Sequence, residues 1–240
     1  MSGPRRTLAR VRLPLDTWER HVLAARLAGA VTVLDVGGVQ GQLALFLPRA
    51  RVVTVNVEPP ADVLFDGEHV PAEDASFEAV MSLDVLEHVA PCHRMAHVAE
   101  LARVARRHVV VSTPLGTPAH VAAERELADW YSWTTGERDR FLDEHLALGL
   151  LTETELRHLA AGVPGFDWRL LFHGDFRRIV ETFRLGVRAR TRRGAPDLAR
   201  YARRRLLARS DLELIEQPRP ESNRAFLVGT RSGHPTSFRS

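Results

Sequence analysis

The chain has 240 residues, 45% of them hydrophobic, one cysteine and a formal net charge of +3. That size suits one domain, or one domain with an inserted subdomain. No apolar run approaches the roughly 18 residues of a membrane span, the basic start lacks a signal peptide's apolar centre, and the lone Cys92 excludes an internal disulfide and a cysteine-based metal site, so the expected compartment is the cytoplasm. Every basic Lys/Arg position is Arg. This fits the codon usage of a GC-rich genome, so net charge alone does not name a partner.

In chain order, Asp16-Thr17-Trp18-Glu19 reads as a capping box that opens a helix to about Leu27, with Gly29 as its stop. Val31 to Leu34 is a β-branched apolar run and reads as a buried strand. A short helix is expected over Gln40 to Leu47, then strands over Arg51 to Val57, Asp62 to Phe65 and Phe77 to Leu83. Pro91 sits at a helix start, and Met95, Val98, Leu101 and Val104 form the apolar stripe of that helix. His108 to Ser112 is a fifth strand. Strands alternating with helices imply a parallel sheet.

In the second half, Thr117-Pro118 opens a helix to about Trp133, ended by Gly136. Thr152-Glu153-Thr154-Glu155 is a capping box whose helix precedes Gly162. Trp168 to Phe172 and Asn223 to Thr230 read as the last two strands. An Arg-dense helical stretch lies between them.

The strongest local signal is Val33-Leu34-Asp35-Val36-Gly37-Gly38-Val39-Gln40-Gly41, a strand running into a glycine turn. Glycines let the backbone turn tightly and let a ligand approach it. A dinucleotide site is disfavoured. Its glycine spacing falls on Gly37, Val39 and Gln42, or on Gly38, Gln40 and Leu43. Asp35 would also repel a pyrophosphate, whereas it suits a cationic ligand.

These residues resemble motif I of class I S-adenosylmethionine-dependent methyltransferases, an acid followed by alternating glycines, with Val39 in place of the middle one. Val52 to Val57, leading into Glu58-Pro59-Pro60, resembles the second strand, whose terminal acid holds the ribose hydroxyls. Asn56 and Glu58 share a strand face, and both are candidates; Glu58 is the better bidentate acceptor. Asp66-Gly67-Glu68-His69-Val70-Pro71, followed by Asp74 to Glu78, resembles the stretch around the adenine. Asp66 matches the acceptor for the adenine amine. Ser82 to Val89 resembles the exit of the fourth strand, which lines the methyl-transfer site.

The four blocks span residues 31 to 115 and are similar to small-molecule methyltransferases of the UbiE/UbiG-like type. The resemblance implies a Rossmann-like three-layer α/β sandwich with a mostly parallel seven-stranded sheet and an antiparallel last strand. It implies S-adenosyl-L-methionine as methyl donor, held by Asp35, Gly37, Gly38, Gly41, Asn56, Glu58, Asp66, Gly67, Leu83 and Asp84. The implied partner is a small-molecule, lipid-linked or glycan acceptor methylated in line. Val39 and Asn56 depart from the family pattern and favour the alternative, a non-catalytic scaffold or membrane-peripheral binding module.

Methyl transfer mainly needs alignment and exclusion of water; a base matters when the acceptor is a hydroxyl or similar acid. His88, just past the fourth strand, and His145, in the region expected to cover the substrate, are the candidate catalytic residues. Tyr131 and Trp133 line the acceptor pocket on one reading and are core on the other. His93 and His97 stand four apart on a helix, a zinc-like spacing, but no third ligand is near, so they read as surface residues and no metal is expected.

The domain reading is an N-terminal helical segment over 1–30, a core over 31–175 with covering helices at about 115–162, an Arg-rich helical insertion over 176–210, and the last strand and tail over 211–240. In the insertion, Phe176, Ile179, Val180, Phe183 and Val187 follow helical spacing among arginines. One reading is a basic amphipathic surface for an anionic membrane; the other is a solvated helix pair covering the sheet edge. Nucleic acid is disfavoured, because only Phe183 and Tyr201 fall among the later arginines.

Overall fold

The computed structural model describes residues 13–191, 195–207 and 212–233. Helix α1 (Leu15–Ala28) leads into β1 (Thr32–Val36). Strands β2 (Arg51–Asn56), β3 (Val63–Leu64) and β4 (Phe77–Leu83) follow, then α2 (Arg94–Val104) and β5 (Ala105–Pro114). Helices α3 (Pro118–Thr135), α4 (Arg140–Leu148) and α5 (Glu153–Gly162) precede β6 (Phe166–His173). Helices α6 (Phe176–Thr191) and α7 (Ala195–Leu207) precede β7 (Arg224–Arg231).

The strands form one seven-stranded sheet in the order β3-β2-β1-β4-β5-β7-β6. β1 to β5 pair in parallel, and β7 runs antiparallel to both β5 and β6. This is the Rossmann-like sheet with an antiparallel last strand that the sequence implied. The strand order reverses between β1 and β4, and the crevice at such a switch, at the carboxyl ends of the strands, is where open α/β sheets bind ligands.

Side chains alternate across the sheet. Leu34 and Val36 of β1 join the core on the α2 and α5 face, with Val98, Leu101 and Leu156. Val33 joins the opposite core, with Leu23 and Leu27 of α1 and Met81 of β4. By the same period of two, Asp35 faces α1. Ser112 shares a face with Val110, and Arg224 with Phe226, so both also belong to the α1 side.

Three local expectations change. α1 begins at Leu15 with Pro14 before it and no side-chain cap. The expected capping box lies inside the helix, where Thr17 and Glu19 are buried, so tertiary packing overrides the local cap signal. Gln40 to Leu47 forms only a 3-10 turn, Leu43–Leu45, because the backbone and side chain of Gln40 are bound to Pro60 O (3.0 Å) and Asp62 Oδ1 (2.6 Å). The helix α4 was not expected, although Asp139 caps it through Phe141 N and Leu142 N. The Arg-rich stretch is a helix pair, and α6 packs against α3: Arg184 and Arg188 stand 5.4 and 5.6 Å over the Trp130 ring. The Thr152–Glu155 capping box forms as expected. Among the described residues no helix is long and apolar enough to cross a membrane.

Candidate functional site

The turn after β1 is shaped by two contacts that only glycine tolerates. Gly37 has φ +78°, and a Cβ there would meet Val85 Cγ2 at 2.4 Å. A Cβ on Gly38 would lie 2.0 Å from Asp35 Oδ2, so the carboxylate presses directly against the loop. Gly41 also has positive φ, in open space, while Val39, which replaces the usual glycine, is 48% exposed. Asp35 is fully buried, and its Oδ2 has no hydrogen-bond partner among the described residues. Burial pushes its carboxyl up to about 7 against the pull of Arg20.

Asn56 sits at the end of β2 but faces the loop. Its Nδ2 donates to Gly37 O (3.2 Å) and Gly38 O (2.9 Å), and its Oδ1 accepts from Val57 N (2.7 Å). Its hydrogen-bonding groups are thus engaged in holding the turn. Glu58 is exposed, 3.6 Å from Arg140 of α4. Asp66 is exposed and caps its own turn, with Oδ1 accepting from Glu68 N and His69 N. Gly67 next to it takes φ +91°.

Beyond β4, Leu83 is buried and Asp84 adopts a left-handed φ of +57°. Arginines from both ends of the chain converge on Asp84. Arg20 Nη1 of α1 donates to Oδ2 and Arg224 Nη1 of β7 donates to Oδ1. Arg224 also reaches Asp84 Oδ2 (3.2 Å) and Ser112 Oγ (3.0 Å). Burial opposes the charge on Asp84, but the two guanidiniums outweigh it and hold the carboxyl below its ordinary range. Glu87, three residues on, is fully buried with both carboxylate oxygens unpartnered among the described residues. Burial, and then Asp84, push it up to about 7.

α4 brings the two expected histidines together. The rings of His88 and His145 lie 5.0 Å apart, and ligating atoms of Glu87, His88 and His145 fall within 4.8 Å of one another. His88 Nδ1 is 2.7 Å from Glu144 Oε2, and Phe141 packs edge-on to its ring. His145 Nδ1 is 3.1 Å from Glu124 Oε2 of α3, whose Oε1 lies 3.6 Å from His120 Nε2. Burial and the neighbouring His145 lower His88. His145 is raised despite burial, because Glu124, Glu87 and Asp84 favour its charged form.

A family described as "Methyltransferase domain" matches residues 10–163. The chain belongs to this methyltransferase family. No curated protein matches it. Among solved structures, it is similar to phosphoethanolamine N-methyltransferase 2 of Haemonchus contortus in complex with S-adenosyl-L-methionine, at 14% identity over 89% of this chain and 52% of that one, with a TM-score of 0.53. A SAM-dependent methyltransferase from Archaeoglobus fulgidus matches at 13% identity over 94% of both chains, with a TM-score of 0.51. These likenesses are in fold.

Other members of the site in this methyltransferase domain were not singled out from the sequence. Arg20, Glu124 and Arg224 lie outside motif I and carry no local signature. Glu87 lies in the Ser82 to Val89 segment, whose pattern assigns it no role. Two expectations are corrected. Trp133 is 79% exposed and lines neither pocket nor core. His97 is no surface residue: its Nε2 lies 3.2 Å from the buried Ser82 Oγ, and burial lowers it to about 4.

Asp35 gives the site a pH signature. Its carboxyl sits near 7 in the fold, against an ordinary 3.8. Between those values the folded chain keeps a proton that the unfolded chain has lost, so the group weakens stability as pH rises through the window. Asp35→Asn removes that dependence. The melting point of the variant minus that of the wild type should therefore increase from about pH 4 to about pH 8 in thermal denaturation; a flat or decreasing difference contradicts the assignment.

Proposed function

We propose that the chain is a catalytic methyltransferase that binds S-adenosyl-L-methionine in the crevice between β1 and β4 and methylates a small acceptor. The observation that carries this reading is the unpartnered, buried Asp35 carboxylate against the Gly37-Gly38 turn. An isolated buried carboxylate is costly, and a cationic ligand removes that cost. The donor set fits: Asp35 for the cationic methionine end, Gly37, Gly38 and Gly41 for close approach of the backbone, Glu58 for the ribose, and Asp66 with Gly67 beside the adenine. Leu83 and Asp84 border the reacting end. Asn56 acts as the clamp of the loop, so we assign the ribose to Glu58.

When bound, the donor supplies a methyl carbon already activated by its sulfonium. The protein's own share is alignment, exclusion of water and, for an acidic acceptor, removal of one proton. His88 is the better base. It is held neutral, and Glu144 at Nδ1 leaves Nε2 free to take the proton. Beside it, Glu124 favours the charged form of His145. α3 and α4 cover the site. The exposed Arg177, Arg190, Arg200 and Arg203, with exposed Trp133 of α3, support an anionic lipid surface as the place where the acceptor is met.

Binding of S-adenosylhomocysteine at about one hundred times its Kd should raise the melting point by roughly 5–10 °C. NAD should give no shift. Asp35→Asn should abolish the ligand shift while raising the melting point of the free protein at pH 8. Absence of any shift with either adenosyl ligand at millimolar concentration leaves the scaffold alternative. His88→Gln should leave S-adenosylhomocysteine affinity unchanged and slow turnover of a hydroxyl acceptor by about a hundredfold or more; equal loss of affinity would rule out the base role. Flotation with anionic vesicles should show binding that falls with salt, and indifference to vesicle charge would reject the lipid surface.

A further inference from the structure

We infer that Arg20 of α1 binds the carboxylate of the donor's methionine end, across the crevice from Asp35, which takes its ammonium. The inference rests on the donor reading above and assigns the one charged donor group left without a residue.

Among the buried polar atoms of the site that have no hydrogen-bond partner among the described residues, two beside the glycine turn are of opposite type: Asp35 Oδ2 is an acceptor and Arg20 Nε is a donor. A zwitterionic α-amino acid offers the reverse pair, an ammonium and a carboxylate. Leaving a buried charged donor unmet is unfavourable, and a carboxylate is the acceptor that matches a guanidinium edge.

The fold puts the two atoms in one neighbourhood. Asp35 lies on the α1 face of the sheet, as the packing of Val33 against Leu23 and Leu27 requires. Arg20 Nη1 is tied to Asp84, the residue that follows β4, while Val85 packs against Gly37. The guanidinium therefore stands beside the glycine turn, and its charge acts on Asp35. The anchors of Arg20 both use Nη1: Asp84, and Asp16 Oδ2 at 3.9 Å, whose side chain is 32% exposed. That leaves the Nε edge for an anion. Arg224 is the weaker candidate, because its Nη1 and Nη2 are engaged by Asp84 and Ser112 and its side chain is 5% exposed. Glu19, the neighbour of Arg20, pairs with Arg178 of α6 at 2.6 Å, so the turn of α1 that carries Arg20 is fixed from behind.

The test compares two donors by calorimetry. S-adenosylmethionine carries the carboxylate, and decarboxylated S-adenosylmethionine keeps the sulfonium and ammonium but lacks it. The wild type should bind the first roughly tenfold to a hundredfold more tightly. Arg20→Met, which keeps an apolar stem in place, should lower S-adenosylmethionine affinity to that of the decarboxylated compound and leave the latter within about twofold. Arg20→Lys, which keeps the charge on Asp84, should recover part of the difference. A wild type that does not distinguish the two donors overturns the assignment without any variant. So does a variant that weakens both donors equally, which would mark Arg20 as a support for Asp84 only. If the wild type binds neither donor, the donor reading itself fails.

Discussion

Two buried carboxyls at the carboxyl ends of the neighbouring central strands β1 and β4 are pushed in opposite directions, and the crevice depends on that difference. Asp84 is charged because Arg20 and Arg224 surround it; Asp35 stands against the glycine turn with an oxygen unmatched among the described residues and is pushed up to about 7. Desolvation acts on both in the same direction, so the arrangement of cations decides which acid stays ionised. The fold tolerates this stress because dense apolar cores lie on each side of the sheet and fix both strands. Backbone strain sits at Asp84, a non-glycine residue with a left-handed φ of +57°, while Gly37 takes its φ of +78° without that cost.

The helix before the sheet is part of this arrangement. α1 closes one sheet face through Leu23 and Leu27 and also carries Glu19 and Arg20. Glu19 ties it to α6, and Arg20 ties it to the residue after β4. Arg94 does similar work on the other side. From within α2 it donates to Leu148 O and Gly149 O at the end of α4, which holds the helix bearing His145 over the crevice.

The histidine pair follows the same logic as the two acids. Equal chemistry is split by surroundings. Burial and the neighbouring His145 lower His88, while Glu124 and the acids near β4 favour the proton on His145. Neither ring is unusual alone. Their 5.0 Å separation depends on α4, the short helix from Arg140 to Leu148 that carries His145.

Residues 31 to 115 disclosed the fold, because runs of β-branched residues, glycine turns and an apolar helix stripe are local signals with local causes. The strand and turn that carry Asp35, Gly37 and Gly38 were legible for the same reason: an acid and two glycines at a strand end are a local pattern. The tie from Asn56 to the carbonyls of Gly37 and Gly38 was not legible, since a strand-end amide has no local sign of such partners. Arg20, Glu124 and Arg224 could be found only in three dimensions. The sequence by itself determined the sheet and the turn that carries Asp35, because short-range sterics and hydrophobic alternation set them. Only the tertiary structure decided which charges meet there, because electrostatic pairing depends on distance through space, and the two arginines on Asp84 come from opposite ends of the chain.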